Sequence, residues 1–206
     1  GLMCMFSGNH DVDRLARHLH GDELKVAFAF ILSMPGAPFI YYGDEIGMRY
    51  VEGLKSVEGG YNRTGSRSPM QWDDSTNAGF SSAPASDLYI AMDPDKDRPT
   101  AKKEMAAPDS LYHEVKKLIR IRQSHKALQS RGKITFVYAE KNAYPLAYIR
   151  EDGDEKILVI INAAAEAKTF ACDAEPKEAI YNFGAAAEAK NGKITVPAQS
   201  AGFYRI

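Results

Sequence analysis

Three neighbouring residues near the start of the chain combine an amide, an imidazole and a carboxylate: Asn9, His10 and Asp11. Such a set can donate and accept hydrogen bonds, which suits the adjacent hydroxyl groups of a sugar. The three residues directly follow the apolar run 2–6, which is typical of a short strand buried on both faces. Because ligand sites in parallel α/β folds lie at the carboxyl ends of strands, this position favours a binding site. The alternative is a plain turn between a strand and a helix, with Asp11 or Asp13 as the helix cap.

The elements that would position these residues follow at the spacing of a βαβ unit. A short helix is predicted over 13–20, and a longer helix, apolar nearly all round, over 23–34. Pro35 ends the longer helix, and the run 39–42 is predicted as a second short strand. Two strands joined through a helix pair in parallel, so the N-terminal part of the chain is predicted to be α/β.

A long segment, 43–108, separates this unit from the next clear helix. It is rich in Gly, Pro, Ser and Asp and has little periodicity, so it is predicted as a loop. A compact domain rarely keeps so long an irregular segment unless the segment serves function. The amphipathic helix that follows is predicted to be capped by Asp109 and to end near Ser124.

After His125 the apolar pattern changes to a period of two, which indicates an antiparallel β-sandwich. Short strands are predicted over 133–139, 143–150, 156–162, 168–172, 193–196 and 202–206. The hexamer Ala-Ala-Ala-Glu-Ala-Lys occurs at 163–168 and at 185–190, and we interpret both copies as connections.

Charge and composition exclude several classes of function. Lys and Arg number 26 against 27 Asp and Glu, which gives a net charge of -1 in 206 residues. This balance removes the electrostatic argument for nucleic acid or an anionic membrane as a partner, and no apolar run is long enough to span a bilayer. Two cysteines are too few for a disulfide framework or a cysteine zinc site.

One acidic segment has carboxylates at the spacing of a calcium loop. Its carboxylates fall at the first, third, fifth and twelfth places, at Asp93, Asp95, Asp97 and Glu104. Arg98, however, occupies the place where such a loop needs glycine. A solvated acidic loop is the preferred interpretation, and neither a metal ion nor a cofactor is expected.

Three ordered motifs resemble the α-amylase family of glycoside hydrolases. They are Phe-Ser-Gly-Asn-His-Asp at 6–11, Pro-Gly-Ala-Pro-Phe-Ile-Tyr-Tyr-Gly-Asp-Glu-Ile-Gly-Met at 35–48, and Arg-Ser-Pro-Met-Gln-Trp-Asp-Asp-Ser-Thr-Asn-Ala-Gly-Phe-Ser at 67–81. The resemblance covers roughly residues 2–124 and is closest to the branch that holds oligo-1,6-glucosidases and trehalose synthases. It implies that 1–129 is the C-terminal part of a (β/α)8 TIM barrel, with its seventh and eighth strands and last helix. Residues 130–206 would then be the family's all-β C-terminal domain.

The resemblance also implies roles for the first motif. Asp11 and His10 would hydrogen-bond hydroxyl groups of the sugar at the cleavage site, with Asn9 beside them. The transition state of glycoside hydrolysis resembles an oxocarbenium ion, and contacts to the 2-hydroxyl strengthen as the ring flattens. Asp11 would therefore be the carboxylate that stabilises the transition state, distinct from the nucleophile and the acid.

Other site residues follow from the second and third motifs. By resemblance Arg67 contacts the non-reducing end of the sugar, while Gln71 and Trp72 shape the pocket. Packing of the loop on the barrel rim is the alternative for Trp72, the only tryptophan. Arg14 would position Asp11 or touch substrate, with a solvated arginine on a helix face as the alternative. Glu45 would support the site or be an exposed loop acid.

The sequence departs from the family in one large respect. A retaining glycosidase needs two carboxyl groups about 5–5.5 Å apart. The family's Gly-Phe-Arg-x-Asp motif, which carries the nucleophile, is absent here, and so is the motif with the acid. We therefore expect a C-terminal fragment of a longer enzyme acting on an α-glucan or α-glucoside, with any signal peptide upstream. The fragment alone is expected to be inactive, and its uncovered strand edges and apolar helix are expected to favour self-association or local disorder. The alternatives are a non-catalytic carbohydrate-binding or interaction module of the same fold and a trehalose synthase-type glucosyl isomerase.

Overall fold

A computed structural model describes residues 2–57 and 63–206. The helices are α1 (Asp22–Ser33), α2 (Ala101–Ala106) and α3 (Leu111–Ser124). The strands are β1 (Cys4–Phe6), β2 (Ala37–Phe39), β3 (Lys133–Tyr138), β4 (Leu146–Asp152), β5 (Glu155–Asn162), β6 (Lys168–Ala171), β7 (Ala179–Phe183), β8 (Glu188–Lys190), β9 (Lys193–Val196) and β10 (Ser200–Arg205). No helix in these two described ranges is long and apolar enough to cross a membrane.

The chain divides into two compact units. The larger unit contains Gly1–Met5, Gly21–Pro38 and Lys117–Ile206, and the smaller unit contains Phe6–His20 and Phe39–Lys116. The predicted domains, 1–129 and 130–206, are continuous in sequence, whereas these units are made of separate segments. The division into those two domains stays a prediction.

β1 and β2 pair with each other in a two-stranded sheet. The amide of Ala37 donates to the carbonyl of Met3 at 2.8 Å, and the amide of Ser7 donates to the carbonyl of Phe39 at 3.0 Å. Residue numbers increase together along both strands, so the pair is parallel, as the spacing predicts.

The second strand lies earlier than the predicted run 39–42 and shares only Phe39 with it. The chain beyond Phe39 leaves the ladder for polar partners. The amide of Tyr41 donates to the Ser7 hydroxyl at 3.0 Å, and the carbonyl of Tyr42 accepts from the Arg14 guanidinium at 2.7 Å. The predicted bounds were therefore wrong. Tyr41 and Tyr42 were assigned to the strand, but their backbone groups bond to side chains of the loop after β1.

The helix α1 agrees with the prediction to within one residue at each end, and it is buried on several faces. Its last carbonyl groups lack partners within the helix, as at any helix C-terminus. Arg122 supplies three hydrogen bonds there, to the carbonyls of Leu32 (2.7 Å), Met34 (2.7 Å) and Gly36 (2.9 Å). A cation at this end also interacts favourably with the helix dipole.

Three local predictions before residue 125 need correction. The helix predicted over 13–20 is a single 3-10 turn, Leu15–Arg17. The segment predicted as irregular contains α2, which Thr100 caps by accepting from the amide of Lys103. The cap of α3 is Ser110, whose hydroxyl accepts from the amide of His113 at 3.3 Å, so the assignment to Asp109 was wrong. A serine can reach this amide from the residue directly before the helix.

The remaining strands form two antiparallel sheets, with the order β3-β4-β5-β10-β7 in one and β6-β9-β8 in the other. Asp152 pairs with Glu155 across a two-residue turn whose first residue, Gly153, has a φ of 58°. One buried cluster takes side chains from both sheets: Ala147, Leu158, Ile160, Phe170, Ile194, Val196 and Tyr204. The hexamer at 185–190 was predicted as a connection, but its last three residues form β8, because they pair with β9.

Candidate functional site

The loop after β1 turns sharply through the side chain of Asn9. Its Oδ1 accepts hydrogen bonds from the amides of Asp11 at 2.7 Å and Val12 at 3.1 Å. Asparagine commonly makes a turn in this way, because its side chain substitutes for a backbone acceptor. The side chains of His10 and Asp11 are left 67% and 45% exposed. Both can therefore meet a ligand.

The Asp11 carboxylate is bound by two arginines from the long segment that follows β2. Its Oδ1 lies 3.1 Å from Nη1 of Arg63 and 3.2 Å from Nη2 of Arg67. The Nε of Arg67 also donates to the carbonyl of His10 at 2.9 Å, and His10 Nε2 lies 3.4 Å from Asp11 Oδ2. The structure thus brings Arg67, from the third motif, to His10 and Asp11 of the first motif. Arg63 was missed, because it lies outside the three motifs in a segment predicted as an irregular loop.

Beneath this loop lies a buried ionic cluster centred on Asp44. Its Oδ2 accepts from the Ser7 hydroxyl at 2.7 Å, and its Oδ1 accepts from Nη1 of Arg14 at 2.9 Å. Burial raises the pKa of Asp44 above its ordinary value, while the contacts with Ser7 and Arg14 act to lower it. The cluster joins the loop after β1 to the loop after β2. Sequence reasoning singled out Glu45 and missed Asp44, its neighbour in the same motif.

Arg14 is 1% exposed, so the alternative of a solvated arginine is wrong. Its guanidinium lies 4.8 Å from the ring centroids of both Tyr41 and Tyr42, in cation–π geometry. It contacts Asp44 rather than Asp11. Of the two roles suggested by the sequence, burial favours positioning over direct contact with substrate.

A cleft of about 460 Å³ lies in the smaller unit, and Arg67 forms part of its lining. Trp72 lines it with 53% of its surface exposed, and Phe80 and Tyr89 add further exposed aromatic surface. Aromatic faces of this kind pack well against the apolar faces of sugar rings. Gln71 is buried instead, and neither side-chain polar atom has a hydrogen-bond partner among the described residues.

Glu45 lies on the wall of the same cleft. Burial raises the pKa of its carboxyl above the ordinary value, against the lowering effect of backbone amides in its own turn. A partly buried acid in an aromatic cleft can accept a hydrogen bond from a hydroxyl group, or donate one to it when protonated.

The acidic segment does not assemble a metal site. Asp93 and Asp95 both bind Arg49, at 3.3 Å and 2.9 Å. Within residues 2–57 and 63–206, no group of three His, Cys, Asp or Glu side chains is arranged to hold a metal ion.

Comparison with known proteins gives a consistent result. The family model for the α-amylase catalytic domain matches residues 1–131. The glucan 1,6-α-glucosidase of Streptococcus pneumoniae is 29% identical over 96% of this chain and 42% of its own length. The trehalose synthase of Thermus thermophilus is 32% identical over 76% of this chain and 16% of its own length. The chain thus spans less than half the length of these relatives.

A solved structure extends the similarity to the whole chain. The trehalulose synthase MutB of Pseudomonas mesoacidophila is 27% identical, with a TM-score of 0.83. The match covers 100% of this chain and 43% of that protein. The fold is therefore part of a TIM barrel together with β-sheet.

Proposed function

Because this chain belongs to the α-amylase family, we propose that it forms part of a retaining glycoside hydrolase that acts on α-glucosides. One observation carries the proposal: the half-exposed Asp11 carboxylate is held by Arg67, and Arg67 also lines an aromatic cleft. Relatives named as glucosidases and amylases support the glycosidase class.

In this proposal Asp11 stabilises the transition state. Its carboxylate accepts hydrogen bonds from ring hydroxyls, and these bonds strengthen as positive charge develops at the anomeric carbon. His10 donates to a neighbouring hydroxyl, and Asn9 keeps both side chains exposed by holding the turn. The guanidinium groups of Arg63 and Arg67, 3.1 Å and 3.2 Å from Oδ1, hold the carboxylate in place.

Arg67, Trp72 and Gln71 are proposed to shape the substrate pocket. Arg67 orients the sugar, Trp72 packs against a ring, and the buried Gln71 supports the loop between them. The nucleophile and the general acid are not assigned to any residue of this chain. The chain alone is therefore proposed to bind without turnover.

We also propose that 130–206 is a β-sandwich attached to a barrel portion, 1–129. Support comes from the buried cluster that takes side chains from both antiparallel sheets. Two sheets that share one apolar core in this way are typical of sandwich packing.

An isomerase is the second candidate function. The similarity of the whole of this chain to part of a trehalulose synthase, and the relative named trehalose synthase, favour it. Hydrolysis transfers the glucosyl group to water, whereas isomerisation returns it to a sugar hydroxyl. Analysis of the products from a disaccharide substrate distinguishes the two.

The test is Asp11→Asn in the protein that carries this chain, assayed on an aryl α-glucoside. We expect kcat to fall by about 10²–10³-fold, equivalent to several kcal/mol of transition-state stabilisation. Asp95→Asn is the matched control, because Asp95 is 48% exposed and also pairs with an arginine. Its kcat should stay within about twofold of the parent's. A near-normal rate for Asp11→Asn, with circular dichroism unchanged, removes Asp11 from the site. Failure of the unsubstituted protein to hydrolyse any α-glucoside favours a non-catalytic carbohydrate-binding module.

A further inference from the structure

Both ends of the loop that carries Asp11 bind one carboxylate. Ser7, where the loop begins, donates to Oδ2 of Asp44 at 2.7 Å. Arg14, where the loop ends, donates to Oδ1 of the same residue at 2.9 Å. Asp44 thus fixes two points that are seven positions apart along the chain, and the exposed His10 and Asp11 lie between them.

The fit around this carboxylate is tight. A Cβ placed on Gly8 would lie 2.9 Å from Oδ2 of Asp44, so the loop backbone approaches the carboxylate closely. Asp44 is 2% exposed and begins a 3-10 turn flanked by Gly43 and Gly47, with φ values of 83° and 71°. Both glycines adopt the left-handed conformation that other residues disfavour. The carboxylate therefore lies on a constrained element with little room to shift.

Arg14 and Asp44 depend on each other, because each is a buried charge that the other neutralises. Its guanidinium is fully buried, and Asp44 is the acidic group that pairs with it. A buried arginine that loses its carboxylate is strongly destabilised in that position. Loss of the Asp44 charge would therefore loosen the far end of the loop, although the carbonyl of Tyr42 would still accept from Arg14.

We propose that Asp44 is a positioning residue that sets the location of the Asp11 carboxylate by holding both ends of its loop. The inference rests on the proposed function of Asp11, which it deepens. Asp44 is too deeply buried to meet substrate and acts through the loop alone.

The first test measures the loop directly, by amide hydrogen exchange in the protein that carries this chain. In Asp44→Asn we expect the amides of Asp11 and Val12 to exchange about tenfold faster or more. Ser7→Ala removes one of the two attachments without unpairing the arginine, and it should give a smaller increase in the same amides. Ser7→Ala also keeps the test informative if Asp44→Asn fails to fold.

Asp93→Asn is the matched control. Asp93 is a similarly buried aspartate that also pairs with an arginine, Arg49, in the smaller unit. This variant should leave the exchange of the Asp11 and Val12 amides unchanged. Unchanged exchange at these amides in Ser7→Ala and in folded Asp44→Asn would overturn the proposal.

The second test is kinetic. Displacing Asp11 by a fraction of an ångström to one ångström should lower kcat of Asp44→Asn by about 10- to 100-fold, with a smaller change in KM. If Asp44 acts through Asp11, the same substitution in an Asp11→Asn background should lower kcat by less than about twofold more. An equally large loss in both backgrounds means that Asp44 acts independently and contradicts the proposal.

The two tests separate the possible failures. If Asp11→Asn alone has a normal kcat, the proposed function of Asp11 is wrong. Hydrogen exchange then still decides on Asp44, because faster exchange supports its hold on the loop and unchanged exchange rejects it.

Discussion

Replacing Arg122 with methionine should destabilise the larger unit by removing the donor at the end of α1. The Arg122 side chain is buried and forms hydrogen bonds with the carbonyls of Leu32, Met34 and Gly36, all at 2.9 Å or less. Burial lowers the pKa of Arg122 below its ordinary value, which shows that the charge has given up part of its hydration.

The magnitude follows from these three acceptors. A buried polar group left without its partner costs about 1–3 kcal/mol, so three carbonyls set an upper range of about 3–9 kcal/mol. Methionine fills much of the same volume and removes a poorly hydrated charge, which offsets part of the loss. We therefore expect a loss of about 3–5 kcal/mol, in the lower part of that range. In a chain of this size, that corresponds to a fall in Tm of about 6–20 °C.

Urea denaturation followed by far-UV circular dichroism measures this change. Arg120→Met is the matched control, because Arg120 lies on the same helix and is exposed to solvent. Its free energy of unfolding should change by less than about 0.5 kcal/mol. A loss below about 1 kcal/mol in Arg122→Met would refute the reasoning, since it would mean that water satisfies the three carbonyls at little cost.

Two further predictions concern pH and substrate binding. Burial acts to raise the pKa of Glu155, but the amide of Ala127 and the side chain of His125 outweigh it and leave the pKa below the ordinary 4.5. The stabilisation from this carboxylate is therefore present above pH 4.5 and lost on acidification. In Glu155→Gln the free energy of unfolding should fall less between neutral pH and about pH 3, as measured by urea denaturation. Trp72→Ala should raise KM for an α-glucoside by up to about tenfold with a smaller effect on kcat; an unchanged KM with a lower Tm would favour packing of the loop instead.

Much of the fold could be predicted from periodicity. The apolar run 23–34 and its proline predict α1, and the alternating patterns predict β5 and β9 to within a residue at each end. Each of these segments buries at least one whole face, so the spacing of its apolar residues indicates its secondary structure.

Elements with weak burial patterns were missed. In β8 all three residues are exposed, and the Ala-rich composition of the hexamer that contains it gives no strand signal. The six-residue helix α2 has no buried residue; Thr100 caps it, and the amides of Ala101 and Lys102 donate to distant carbonyls of Gln71 and Trp72. Nothing in the spacing of such residues distinguishes them from a loop.

In the candidate site, too, some residues could be predicted from the sequence and others could not. His10, Asp11 and Arg67 were predicted because their types and motifs indicate chemistry. Asp44 is identified by its contacts with Ser7 and Arg14, which belong to a distant part of the sequence. The residues next to Asp44 in the sequence give no indication of these long-range contacts.

The position of β10 has a consequence for synthesis of the molecule. β10 is translated after the other strands of its sheet, yet it lies between β5 and β7. Until residues 200–205 leave the ribosome, β5 keeps one edge unpaired and β7 lacks its partner. An open edge rich in Ile, Leu and Val attracts strands from other chains. The interval between the emergence of β5 and the emergence of β10 therefore sets how long this edge is open to misassembly.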